Sequence, residues 1–216
     1  PICFARASGV EPEIRVTLRK RIPAGAGLGG GSSDAAVTLA ALNRLYGFPL
    51  DPPCIHDLAA GLGSDVPFFL AGGTALGLGR GEIVHPLRDI EKAAVLLLVP
   101  EFQVSTAEAY GSVGDNLTPG RGQISIYRFC RQGVRESRAF PLISNDLEKV
   151  VVPAHPIIGR LVNQLRSAGA AAAAMTGSGS AVYALLAGGK GASRAFRNLM
   201  GSSPGKMRRA SDSLMT

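Results

Sequence analysis

Apolar and polar side chains alternate between Ile14 and Ile22. Ile14, Val16, Leu18 and Ile22 fall on one face, with Arg15, Thr17, Arg19 and Arg21 on the other. Period two predicts a strand with one wet face, in an antiparallel or mixed sheet. Lys20 breaks the apolar face just before a glycine-rich stretch. Beyond that stretch the period lengthens, and Ser32–Leu45 reads as a helix. Ser32 or Ser33 is its expected cap, Asp34 suits its positive end, and Val37, Ala41 and Leu45 share a face. Gly47 and Pro49 stop it. Pro53–Leu62 is a second, shorter helix that ends in the turn Gly61-Leu-Gly-Ser-Asp65. Three short apolar runs separated by glycines, Val66–Leu70, Thr74–Leu78 and Glu82–Pro86, predict strands.

Charged residues at Asp89–Lys92 interrupt two apolar stretches and mark an expected boundary between lobes 1–92 and 93–216. In the second lobe Ala93–Val99 reads as a buried strand and Thr106–Val113 as a helix. Asn116–Gly122 reads as a turn-rich loop and Ile124–Gly133 as a helix. Ile157, Leu161 and Leu165 recur every four residues and predict a helix over Pro156–Ala168. A second glycine loop, Met175–Ser180, leads into an expected strand, Ala181–Leu186. A last helix is expected at Ala192–Met200, before a polar tail, 201–216. The longest apolar runs, Ala93–Val99 and Ala168–Met175, fall short of the ~18 residues of a membrane span.

Composition narrows the ligand class. Of 216 residues 46% are hydrophobic, enough for a sizeable core. The net charge of +7 suits anionic ligands such as nucleotides and phosphates. Nucleic acid is the weaker reading, because there are only four Tyr, eight Phe and no Trp, and no basic run is interleaved with aromatics. Cys3, Cys54 and Cys130 are odd in number and far apart, which fits reduced thiols in the cytosol better than a disulfide framework. His56, His85 and His155 show no metal-ligand spacing.

The candidate chemistry lies in Pro23-Ala-Gly-Ala-Gly-Leu-Gly-Gly-Gly-Ser-Ser-Asp34. Five of its twelve residues are glycine, and it runs into a helix start, where backbone N–H groups favour an anion. Gly25, Gly27 and Gly30 match a dinucleotide fingerprint, but that motif wants a near-continuously apolar strand before it, and this one is half charged. A P-loop needs Gly-Lys-Ser/Thr, and no lysine follows these glycines. The remaining class is a glycine loop that wraps a triphosphate without a P-loop lysine. Asp65, in Gly63-Ser-Asp-Val-Pro-Phe-Phe69, reads locally as a turn aspartate at a strand entrance, with a general base as the sharper alternative. Met175–Ser180 reads equally as a second phosphate-approaching loop or as a tight turn.

Taken together, Pro23–Asp34, Gly63–Leu70 and Thr176–Ala184 resemble, in order and spacing, the three motifs of the GHMP kinases. Gly79-Arg-Gly-Glu82, Ser105-Thr-Ala-Glu-Ala-Tyr110 and Asn145-Asp-Leu-Glu148 strengthen the likeness, which runs from about Ile14 to Leu186. The chain is most similar to the members that act in non-mevalonate isoprenoid synthesis. The resemblance implies an α/β fold of α+β type, with an incomplete ribosomal-S5-like N-terminal lobe and a ferredoxin-like C-terminal lobe. It implies ATP-dependent phosphorylation of a methylerythritol 2-hydroxyl on a small-molecule cytidyl-diphosphate substrate, with ATP and Mg²⁺ as cofactors and no membrane or nucleic-acid partner. The ATP phosphates would be wrapped by Pro23, Ala24, Gly25, Ala26, Gly27, Leu28, Gly29, Gly30, Gly31, Ser32 and Ser33, with Ser33 the candidate metal contact. Asp65 would be the base. Thr106 and Tyr110 would line the substrate segment, Tyr110 at the place of an aromatic that stacks on cytosine. Thr176, Gly177, Ser178, Gly179 and Ser180 would support the nucleotide loop. Other GHMP activities, of homoserine or mevalonate type, and a non-catalytic nucleotide-binding fragment are the rival readings. The resemblance also implies an N-terminal strand bearing a catalytic lysine, with a Tyr-His pair for cytosine. Nothing before Ile14 matches these, so the expectation is a chain that begins after them.

Overall fold

The computed structural model describes residues 2–89, 94–112 and 143–186. The expected elements Asn116–Gly122, Ile124–Gly133 and Ala192–Met200 lie outside these residues, as does Cys130. The chain forms two compact units. One runs through Pro23 and from Gly29 to Asp89; the other holds Ala24–Leu28 and the described residues from Ala94 onward.

In the first unit helix α2 (Gly30–Leu45) packs on α3 (Pro52–Leu62) and α4 (Val66–Ala71), and a seven-residue helix α1 (Ile2–Ser8) packs on α3. The core joins Phe4 of α1, Ala36, Leu39 and Leu42 of α2, Leu50, Ala59 of α3 and Val66 of α4. The expected apolar face of α2 is the wrong one. Val37 and Leu45 are 62% and 66% exposed, while Ala36, Leu39 and Leu42 are buried. The spacing was right for a helix, but Ala36, Leu39 and Leu42 are the residues that join the core. Buried Asn43 ties α2 to the turn that follows: its amide donates to the Leu50 carbonyl at 3.0 Å and its oxygen accepts the Leu50 N–H at 3.0 Å.

Two expected strands of this unit do not form. Ile14–Ile22 forms no regular element, with Val16 and Leu18 more than half exposed. A strand exists only where a partner satisfies its N–H and C=O groups, and no described residue pairs with this segment. Val66–Leu70 is helix α4, because Pro67 sits in its first turn, where a missing N–H costs nothing, and a short apolar run carries no period to separate strand from helix. The other two expected strands form, the second one residue later than Glu82–Pro86: β1 (Thr74–Leu78) pairs antiparallel with β2 (Ile83–Leu87), Thr74 opposite Leu87 and Leu78 opposite Ile83.

The second unit is built on an antiparallel sheet in the order β3–β5–β4, from β3 (Ala94–Leu98), β5 (Val182–Leu186) and β4 (Ala172–Met175). Helix α7 (Pro156–Ser167) lies on β4 and β5, burying Ile158, Val162 and Leu165 against Ala173, Met175, Val182 and Ala184. Two shorter helices, α5 (Thr106–Gly111) and α6 (Glu148–Ala154), complete it. α1, α6 and β4 were not expected from the sequence: the helices are too short to display a period, and β4 is a run of alanines. Among the described residues no helix is long and apolar enough to cross a membrane.

Candidate functional site

Residues Ala24–Leu28 of the first glycine loop pack within the second unit, backbone against backbone with the second glycine loop. The Ala26 carbonyl accepts the Ala181 N–H at 3.1 Å, and the Gly27 carbonyl accepts the Thr176 hydroxyl at 2.8 Å. Gly27 has φ +71°, and a Cβ there would stand 2.1 Å from the Thr176 carbonyl oxygen and 3.0 Å from the Gly179 nitrogen. No other residue fits, because the space a side chain needs is filled by main chain.

The second loop is closed by its own bonds. Gly179 N–H donates to the Thr176 carbonyl and Thr176 N–H to the Ala181 carbonyl, each at 2.9 Å. Ser180, fully buried, donates its hydroxyl to the Phe102 carbonyl at 2.5 Å. Ser178 and Thr106 share a hydroxyl–hydroxyl bond of 3.0 Å, which brings the expected substrate helix α5 onto this loop. Tyr110 on the same helix is 59% exposed. Asn145, ahead of α6, and Glu148, its first residue, tie down the loop. The Asn145 amide donates to the Met175 and Gly177 carbonyls at 2.9 and 2.7 Å, and the Met175 N–H donates to the Glu148 carboxylate at 2.6 Å. Asn145 and Glu148 carried no expected role in the sequence; their presence in a recurring four-residue motif was the only signal. Burial, with Glu148 nearby, pushes the Tyr183 hydroxyl above its ordinary pKa.

In the first unit the start of α2 departs from expectation. The N-cap is Gly29, not Ser32 or Ser33, and no side chain caps it. Its φ is +66°, and a Cβ would stand 2.5 Å from the Phe69 ring of α4. Ser32 and Ser33 lie inside the first turn, Ser33 N–H already bonded to the Gly29 carbonyl at 2.9 Å. Among the described residues no side chain caps this helix start, which is the condition for binding an anion there. Asp34 is taken by Lys20, whose ammonium lies 2.6 Å from its carboxylate at the surface. Asp65 is the N-cap residue of α4, so it stands at a helix entrance and not a strand entrance. Its side chain is exposed and makes no capping bond, leaving its carboxylate oxygens open among the described residues. No group of three or more His, Cys, Asp or Glu among the described residues is placed to hold a metal ion.

The family model for the GHMP kinases N terminal domain matches residues 2–73, and that for the GHMP kinases C terminal matches residues 131–202. The 4-diphosphocytidyl-2-C-methyl-D-erythritol kinase of Gloeobacter violaceus is 40% identical over 184 residues, 82% of this chain and 61% of that protein. The protein of the same name from Solibacter usitatus is 43% identical over 185 residues, 84% of this chain and 57% of its own. The chain thus spans about three fifths of the length of these relatives. The crystal structure of a 4-(cytidine 5'-diphospho)-2C-methyl-D-erythritol kinase superimposes with a TM-score of 0.71 at 34% identity, covering 92% of this chain and 71% of that one. With both family domains matched and their glycine loops in this arrangement, the chain belongs to the GHMP kinases.

Proposed function

We propose that this chain carries the nucleotide-binding and phosphoryl-transfer machinery of a kinase that uses ATP and Mg²⁺ to phosphorylate the 2-hydroxyl of 4-diphosphocytidyl-2-C-methyl-D-erythritol, a step of isoprenoid synthesis. The names of the relatives support the substrate. The observation that carries the reading is the close packing of the glycine loop. Gly27 meets Thr176 with no room for a Cβ, and α2 opens on a glycine cap with no side-chain cap among the described residues.

Phosphoryl transfer is governed by positioning and charge stabilisation. The loop Pro23–Ser33 supplies backbone N–H groups to the phosphate oxygens, where a side chain would stand in the way. Mg²⁺ needs few protein ligands when phosphate oxygens are present, so the lack of an acidic cluster among the described residues is compatible with it, and the Ser33 hydroxyl would be the protein contact. The ion supplies neutralisation of phosphate charge. Asp65 holds the acceptor hydroxyl in line and takes its proton; its uncapped carboxylate is free to do so. Holding the hydroxyl in line is the larger contribution, because phosphoryl transfer depends on positioning. Tyr110 presents an exposed ring for the cytosine, and Thr106 orders the substrate segment on the second loop.

ADP release from ATP, Mg²⁺ and the cytidyl substrate, assayed with the full reading frame, tests the reading. Turnover with this acceptor is expected, and Asp65→Asn lowers kcat by about a hundredfold or more. Turnover with homoserine or mevalonate in its place would overturn the substrate, and near wild-type kcat in Asp65→Asn would overturn the role of Asp65.

A further inference from the structure

We infer that Asn145, remote in sequence from both glycine loops, is a positioning residue that sets the nucleotide loop through Thr176. The inference rests on the kinase reading above only for what the loop binds. Asn145 grips the second loop on both sides of Thr176, donating to the Met175 carbonyl at 2.9 Å and the Gly177 carbonyl at 2.7 Å. Its own orientation is fixed, because its side-chain oxygen accepts the Leu147 N–H at 3.0 Å. An amide has both the donors and the acceptor this requires, and no other side chain of that size does. Glu148 adds a third tie through the Met175 N–H.

Held in this way, Thr176 presents two groups to the first loop. Its hydroxyl donates to the Gly27 carbonyl at 2.8 Å, and its carbonyl oxygen lies where a Gly27 Cβ would come within 2.1 Å. A contact with no slack transmits displacement. Releasing Thr176 moves Gly27, and the backbone N–H groups of Ala24–Leu28 with it, although Asn145 itself touches no nucleotide.

Asn145→Asp is the informative change. It keeps the shape and the acceptor for Leu147, but sets a carboxylate oxygen against two carbonyl oxygens. Protonation restores one O–H donor, so the defect reverses as pH falls; the carbonyl neighbours raise the pKa of that carboxyl and bring the reversal into reach. In the full chain, with ATP and Mg²⁺ as the probe, the ATP Kd rises about tenfold at neutral pH and recovers towards acid, with no such recovery in the wild type. Without nucleotide, amide hydrogen exchange at Gly179 and Ala181, bonded to Thr176 and Ala26, quickens about tenfold in N145D, while α7 is unchanged. Should N145D fail to fold, N145A carries the same exchange measurement. Unchanged exchange at Gly179 and Ala181 overturns the inference, as does a Kd within about twofold of a wild type that binds ATP, or a defect without acid recovery. Quickened exchange in a wild-type background that binds no ATP overturns the kinase reading and leaves the positioning role standing.

Discussion

Gly27→Ala probes the contact on which both glycine loops depend. The added Cβ would lie 2.1 Å from the Thr176 carbonyl oxygen, where ordinary contact begins at 3.4 Å, so the two backbones must part by about 1.3 Å. The obstacle is main chain and cannot rotate away. An L residue held at the φ of +71° costs a further ~1–2 kcal/mol. The Thr176–Gly27 hydrogen bond and the Ala181–Ala26 bond lie in the same contact and are strained together. A misplacement of ~1 Å in a group that positions a reactant lowers rate by about a hundredfold. Steady-state kinetics with varied ATP, beside thermal melts, read both effects: kcat/KM for ATP falls by about that factor, and stability falls by ~1–2 kcal/mol or more. Gly61→Ala is the control. Gly61 lies in α3 with nothing within 4 Å of an added Cβ, so it gains about 0.5–1 kcal/mol of stability and leaves the kinetics unchanged. Wild-type kcat/KM in Gly27→Ala, with no loss of stability relative to Gly61→Ala, would refute the close-approach argument.

Asn43→Ala leaves the buried Leu50 N–H and carbonyl without partners, and urea unfolding should report a loss of about 2–4 kcal/mol, far above that of an exposed asparagine. Asp51 caps α3 by accepting the Cys54 N–H at 2.9 Å, and that bond holds its carboxyl below its usual pKa of 3.8. The native state therefore binds this proton less readily than the unfolded chain, so the cap contributes stability above that pKa and loses it as pH falls through the lower native value. Stability curves of wild type and Asp51→Ala should differ at neutral pH and converge in acid; parallel curves would show that the cap is not the source.

Helices long enough to show a period were legible: Ser32–Leu45 was expected and Gly30–Leu45 forms, as Pro156–Ala168 anticipates Pro156–Ser167. The face they bury was less so, since Val37 and Leu45 keep helical spacing yet meet solvent. Strands divided by whether a partner exists. Thr74–Leu78 has one across the hairpin, whereas Ile14–Ile22, with the better alternation, has none among the described residues. The membership of Thr106 and the Thr176–Ser180 loop in one cluster could be read only through the family likeness, because 72 residues separate Thr106 from Ser178.

By itself the sequence determined the chemistry on offer: a loop with five glycines ahead of a helix, an aspartate beside a turn, and an order of motifs that marks a family. Those are properties of residue type and spacing, and they survive in one dimension. The tertiary structure decided which glycine is indispensable, which residue caps α2, and that Asn145 and Glu148 brace the second loop. Each of these depends on a carbonyl or an N–H brought from a distant part of the chain. Backbone groups are the same at every residue, so nothing in the sequence marks which of them will meet.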